Sequence, residues 1–103
     1  MWGKRRKRFI FLEISPECVL YIPTNPGSIC LEEQGRCIVL TYVELQALKL
    51  VYLDNLTQYE AAMRMGIPRS TLWRIIENAR RKIVQALIER RPILIARTED
   101  GRC

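Results

Sequence analysis

The chain has no histidine. That removes the commonest general base and metal ligand available near neutral pH. Its four cysteines, Cys18, Cys30, Cys37 and Cys103, form no C-x-x-C pair. A zinc site would have to be drawn from scattered positions, and no metal is expected. The five glycines are dispersed, so there is no glycine-rich phosphate loop. Ser70 has no base beside it in sequence and stands where a helix start wants a small hydroxyl. With the usual acid–base, metal and nucleotide constellations missing, the expectation is a protein that is not an enzyme and needs no cofactor. Long apolar runs are missing too. No segment approaches the roughly 20 apolar residues of a membrane span. The start "KRRKRFIFLEI" imitates a signal peptide, but its apolar run, Phe9 to Leu12, is broken by Glu13. The expected setting is cytoplasmic, away from membranes, with the cysteines as free thiols in a reducing compartment. A Cys30–Cys37 bridge across a turn is the alternative.

Acid is in short supply. Seventeen Lys and Arg oppose eleven Asp and Glu, for a formal charge of +6 in 103 residues. Residues 4–8, "KRRKR", carry +5, and residues 67–82 carry +4, so the remainder sums to −3. Two basic patches on a mildly acidic body favour an anionic partner. At this length, with 49% apolar residues, one domain with one modest core is expected.

The chain divides into a basic N-terminal arm (1–8), short strands and a loop (9–39), a helical region (40–91), and a C-terminal strand and tail (92–103). "RFIFLEI" (8–14), "CVLYI" (18–22) and "ILIAR" (93–97) read as strands. "PTNPGS" (23–28) is a loop by composition, "EEQGR" (32–36) a turn, "CIV" (37–39) a short extended piece, and "TEDGRC" a frayed tail. From Thr41 the period changes. Thr41-x-x-Glu44 and Thr57-x-x-Glu60 are capping-box patterns opening two helices. Leu45, Leu48 and Tyr52 recur on the first, and Ala61, Ala62 and Met65 line the inner side of the second. Gly66 stops the second helix in a left-handed conformation. Pro68 suits the start of a third, expected from about Arg69 to Glu89 and ended by Pro92.

On a wheel of 100° per residue, Leu72, Ile75, Ile76, Ala79, Ile83, Ala86 and Leu87 share the core face of the third helix. Ser70, Arg74, Glu77 and Arg81 lie opposite, with Trp73 and Arg80 on a flank. A short helix, a glycine turn and a longer amphipathic helix make the helix-turn-helix pattern. The expected fold class is therefore mainly α: a three-helix helix-turn-helix core with short N- and C-terminal β-strands forming a small sheet. A three-helix bundle with a solvated basic face is the plain alternative.

Geometry then assigns roles. Arg69, Ser70, Trp73, Arg74 and Glu77 face a major groove, where Arg can bind guanine and Glu can accept from cytosine. Trp73 either meets a thymine methyl or sugar, or packs on the N-terminal segment. Arg80, Arg81 and Lys82 pass phosphates, as do the backbone N–H groups near Thr57. Lys4, Arg5, Arg6, Lys7 and Arg8 form an arm that reaches a groove or the backbone.

"LTYVELQALKLVYLDNLTQYEAAMRMGIPRSTLWRIIENARRKIVQAL" (40–87) resembles the helix-turn-helix region of a small prokaryotic family, domain of unknown function 134. Glu44, Glu60–Ala61–Ala62, Met65–Gly66, Arg69, Thr71, Arg74 and "ARRK" (79–82) carry the likeness. "KRRKR", "YIPTNPG" (21–27) and "ILIA" (93–96) extend it over nearly the whole chain. Members of that family are described as predicted DNA-binding proteins, and the same block is similar, more distantly, to the fourth conserved region of sigma factors. The resemblance implies double-stranded DNA as partner, in a transcriptional regulator. A protein-interaction adaptor for RNA polymerase or other transcription machinery is the alternative. The chain departs from the family pattern at Pro68, Ser70 and Trp73, so the resemblance implies no particular target sequence. Some relatives carry a domain resembling iron–molybdenum-cofactor-binding proteins. The residues after Leu94 are too few for one.

Val84 and Ile88 fall on the outer side of the third helix, beyond the groove-facing stretch. They are expected to be covered by the terminal strands and shared between two chains as homodimer contacts, with two recognition helices set on successive major grooves.

Overall fold

Thr41 does two jobs in the computed structural model, which describes residues 10–24 and 36–103. It is the last residue of strand β2 (Ile38–Thr41) and the N-cap of helix α1 (Tyr42–Leu48). The expected capping box is formed. The Thr41 hydroxyl accepts from the Glu44 N–H at 3.3 Å, and Glu44 Oε1 accepts from the Thr41 N–H at 2.9 Å. Helix α1 runs on into one π-helical turn, Lys49–Leu53, closed by the Asp54 N–H on the Lys49 carbonyl. Asn55 then takes a positive φ of 56° and turns the chain.

The second box repeats the device. Thr57 and Glu60 exchange bonds of 3.0 and 2.9 Å at the start of α2 (Gln58–Met65). Gly66 ends α2 at φ 72°, a left-handed value that costs an L side chain about 1–2 kcal/mol. Its geometry lets the Ile67 N–H reach the Ala62 carbonyl. Pro68, extended at ψ 153°, caps α3 (Arg69–Glu89). Its 21 residues give a rod of about 31 Å. Arg90, at φ 54°, turns the chain out, and Pro92 leads into β3 (Ile93–Ala96).

The sheet has the order β1-β3-β2, with β1 at Val19–Tyr21. Strand β1 is antiparallel to β3, Val19 opposite Ile95, and β2 is parallel to β3, Leu40 opposite Ile95. Helices take about half of the described residues.

Two clusters form the core, and α3 spans both. Its first half gives Leu72 and Ile76 to a cluster with Ala47, Leu50, Ala61, Ala62, Met65 and Ile67. Its second half gives Ala79, with Ile83 beside it, to a cluster with Leu40 and Ile95 of the sheet and Tyr42 at the start of α1. Small residues sit where elements cross most closely: Ala47, Ala61 and Ala79 are wholly buried.

Four expectations are corrected. The described part of "RFIFLEI" is not a strand. Residues 10–14 are irregular, with a bend at Ile14, and run beside α1 and α2, where the wholly buried Gln46 acts in place of a strand edge. Its side-chain oxygen accepts from the N–H groups of Glu13 and Ile14, and its Nε2 donates to the Phe11 carbonyl at 2.5 Å. The Phe11 N–H is taken by the Met65 carbonyl. Second, Leu87 is not core but 69% exposed, because it lies on the flank of the wheel, outside the face that buries Ala79 and Ala86. Third, the sheet does not cover Val84 and Ile88. It packs within its own chain on the opposite face of α3. Fourth, the cysteines are not all free and the tail is not frayed. Residues 97–102 close a turn, with the Arg97 N–H on the Arg102 carbonyl at 2.8 Å. Cys103 is disulfide-bonded to Cys18. Cys37 is an exposed free thiol, while Cys30 lies outside the described residues. So do the basic arm, Lys4 to Arg8, and most of the "PTNPGS" and "EEQGR" segments.

Candidate nucleic-acid interface

The first four turns of α3 are presented outward because their inner residues are committed to the core. Leu72 and Ile76 are locked among Ala61, Ala62 and Met65, which fixes the azimuth of every other side chain on the helix. Arg69, Ser70 and Arg74 are exposed, Trp73 is 52% exposed, and Glu77 is partly buried. All five expected base-facing residues thus lie on one open side of the helix. Trp73 stands clear as a half-exposed ring.

The cations of this helix fall into two sets. Arg69, Arg74 and Arg81 have no carboxylate partner among the described residues. Arg80 is held twice: its guanidinium donates to Glu77 at 2.5 Å and to the Tyr52 hydroxyl at 2.6 Å. The hydrogen bond to Tyr52, followed by the Glu77 charge, raises the Arg80 pKa above its ordinary value. The π-helical turn after α1 is what brings Tyr52 over this position.

Lys82 departs from its expected role. Instead of facing outward it turns in, where its ammonium lies 2.8 Å from Glu44 and 3.0 Å from Glu99, with its side chain only 17% exposed. Glu44 is the hub of that arrangement and is 4% exposed. Oε1 accepts from Thr41 and Lys82, and Oε2 accepts from the Asn78 amide at 2.7 Å. A carboxylate out of water is tolerated because its oxygens are engaged by an ammonium and two N–H donors. The staple ties the start of α1 to the middle of α3. The capping pattern at Thr41 and Glu44 was visible in sequence; the second use of Glu44, 34 and 38 residues away, had no local signal.

An open cleft of about 570 Å³ lies between these two elements, with Val43 and Glu44 on one side and Trp73, Arg74, Asn78 and Arg81 on the other. Thr57 is exposed at the other end of the surface. Its capping box spends the Thr57 and Glu60 N–H groups, leaving those of Gln58 and Tyr59 at the open helix end. Arg64 on α2 is neutralised by Glu13 at 2.7 Å, which also fastens the N-terminal segment. Among the described residues, no group of three or more His, Cys, Asp or Glu could hold a metal, and no helix is long and apolar enough to cross a membrane.

A family model described as protein of unknown function DUF134 matches residues 1–102. A UPF0251 protein of Pyrococcus furiosus is 38% identical over 95 residues, 91% of this chain and 85% of that protein. A UPF0251 protein of Desulforudis audaxviator is 40% identical over 90 residues, 87% of this chain but 54% of that protein. One of Pyrococcus abyssi is 50% identical over 58 residues, 56% of this chain and 53% of that protein. The matched region thus spans about half the length of several of these relatives. No solved structure matches.

Proposed function

The chain belongs to the DUF134 family, and we propose that it binds double-stranded DNA in a sequence-specific manner, as a transcriptional regulator. The binding unit is a helix-turn-helix made of α2, the turn at Gly66–Pro68, and α3. The observation that carries the reading is the row of guanidinium groups, Arg69, Arg74 and Arg81, along the exposed side of α3, which have no carboxylate partner among the described residues. The carboxylate of Glu77 lies in the same row and is spent on Arg80 instead.

In this reading the first turns of α3 enter the major groove. Arg69 and Arg74 read guanine, where a guanidinium forms two bonds to O6 and N7. Ser70 and Trp73 complete the reading row, Trp73 against a thymine methyl or a sugar. Arg80 and Arg81 meet phosphates, Arg80 with its guanidinium held by Glu77 and Tyr52. The Gln58 and Tyr59 N–H groups at the Thr57 end of α2 offer a further phosphate contact. Lys82 takes no part, being committed to Glu44 and Glu99.

An electrophoretic mobility shift with random duplex DNA at two salt concentrations tests the reading, followed by selection of bound sequences from a random pool. A salt-sensitive shift and an enriched sequence are expected. Non-specific dissociation constants are roughly 1–100 µM at physiological salt and tighter at low salt, so failure to bind at low salt overturns it.

A further inference from the structure

The outer face of α3 continues beyond the proposed reading row into Val84, Leu87 and Ile88, which are 57%, 69% and 71% exposed. Three large apolar side chains within five residues of one helix need a cover. The sheet does not supply it, since it lies on the opposite face at Ala79 and Ile83. Arg80, Arg81, Val84, Gln85, Ile88 and Glu89, all on α3, outline a shallow open groove along this helix face.

We infer that this groove receives α3 of a second copy, antiparallel to the first, about a two-fold axis level with Gln85. The charges set both the orientation and the register. Arg81 and Glu89 lie four residues to either side of Gln85, so in an antiparallel pair each is level with the other on the partner chain. At 100° per residue, Arg81, Gln85 and Glu89 step successively round one flank of the Val84–Ile88 line, and Leu87 and Arg80 lie on the other. A two-fold axis keeps like flanks together. Each Arg81 therefore meets a Glu89, twice over, and Gln85 meets its own copy on the axis. Val84 and Ile88 fill the seam, and Leu87 packs beside the partner helix near Val84. A parallel pair would set Arg81 on Arg81 and Glu89 on Glu89, which like charges oppose. Arg81 is available, having no carboxylate partner among the described residues. A hydrogen bond from Arg91 lowers the Glu89 carboxyl below its ordinary pKa.

The pairing also covers Arg81 and turns the two reading rows toward each other across the axis. It cannot lay both rows on one duplex, unlike the two-groove arrangement expected from sequence. DNA and the second copy compete for one face, and the paired form is the one that does not read DNA. Only this last step rests on the proposed DNA binding. Three apolar residues per chain fall far short of the roughly 1,200 Å² of a standard interface, so a weak, transient pairing is expected, to be sought at concentrations up to about 100 µM.

Sedimentation equilibrium of the full chain without DNA tests the pairing. The parent is expected to dimerise, and Ile88→Asp to weaken association about tenfold or more while circular dichroism keeps its helix signal. Arg81→Glu and Glu89→Arg should each lose self-association. Mixed in equal amounts they should associate with each other, because that pair restores an opposite charge at both reciprocal contacts. A parent that stays monomeric across this range, or a mixture no more associated than either variant alone, overturns the inference. Random duplex DNA added to the parent then separates the two proposals. A falling dimer fraction supports competition. A complex in which DNA and the Arg81–Glu89 pairing coexist overturns the competition. Charge-dependent dimers that do not bind DNA refute the DNA reading alone.

Discussion

Removing the Glu44 side chain should cost far more than an ordinary helix cap. The carboxylate is almost wholly buried and serves three donors: the Thr41 N–H at 2.9 Å, the Asn78 amide at 2.7 Å and the Lys82 ammonium at 2.8 Å. A lost cap contributes about 1 kcal/mol. Breaking a buried ion pair by deleting one partner costs about 3–5 kcal/mol, because the other charge is left out of water. Lys82 keeps Glu99 and some solvent, so the lower end applies, and Glu44→Ala should lose about 3–4 kcal/mol in all. Glu44→Gln keeps an acceptor for Thr41 and gives up only the charge, so about 1–2 kcal/mol is expected. Lys82→Met removes the stranded ammonium. In that background Glu44→Ala should cost about 1–2 kcal/mol, which leaves a coupling energy of about 2 kcal/mol. Urea denaturation of the four corners of this cycle gives each value from the midpoint at constant slope. A coupling energy below about 0.3 kcal/mol, within the error of additivity, would refute the staple and leave Glu44 as a cap.

Arg74→Ala should lose about 1–3 kcal/mol of binding on a selected site and much less on random duplex. Equal losses on both, in fluorescence anisotropy titrations, would make Arg74 a phosphate contact only. Deleting residues 1–7 should flatten the salt dependence of DNA binding by about 0.9 in log–log slope for each phosphate contact removed; an unchanged slope would reduce the basic arm to a solubilising tail. Cys18→Ser opens a bridge that closes 85 residues. By the chain-entropy argument it should destabilise the fold by about 4.6 kcal/mol, and a reductant should bring the parent's urea midpoint to that of the variant. A parent whose Cys18 and Cys103 alkylate without denaturant contradicts the bridge.

The helices were legible because each carries its own start and stop signals. Thr41 with Glu44, Thr57 with Glu60, Gly66 and Pro92 act over four or five residues, and the observed bounds of α3 match those read from Pro68 and Pro92. The strands at 18–22 and 93–97 were visible by composition, but their partners were not. Nothing near residue 93 tells a reader that β3 will lie between β1 and β2. The failure at residues 8–14 has the same origin. Its aromatic and branched residues satisfy the composition of a strand, yet what lies beside them is one amide, Gln46, rather than a backbone edge. Of the interface, periodicity correctly separated outer from inner residues on the first half of α3. It could not tell which cations would be claimed by distant carboxylates. Arg81 and Lys82 are sequence neighbours, and only the second turns in to Glu44.

The parallel pairing of β2 with β3 encloses all three helices between its strands, with Leu40 level with Ile95. Such a sheet cannot assemble from neighbouring segments. Closing so long a loop costs entropy that no local contact repays, so the ladder is expected to form after the helices have condensed. A substitution such as Ile95→Val, at a buried sheet position, should then leave the folding rate nearly unchanged and speed unfolding. The last structure to form would be the ledge on which the C-terminal half of α3 rests. The time the chain spends before reaching that point is time with an unpaired strand edge in solution.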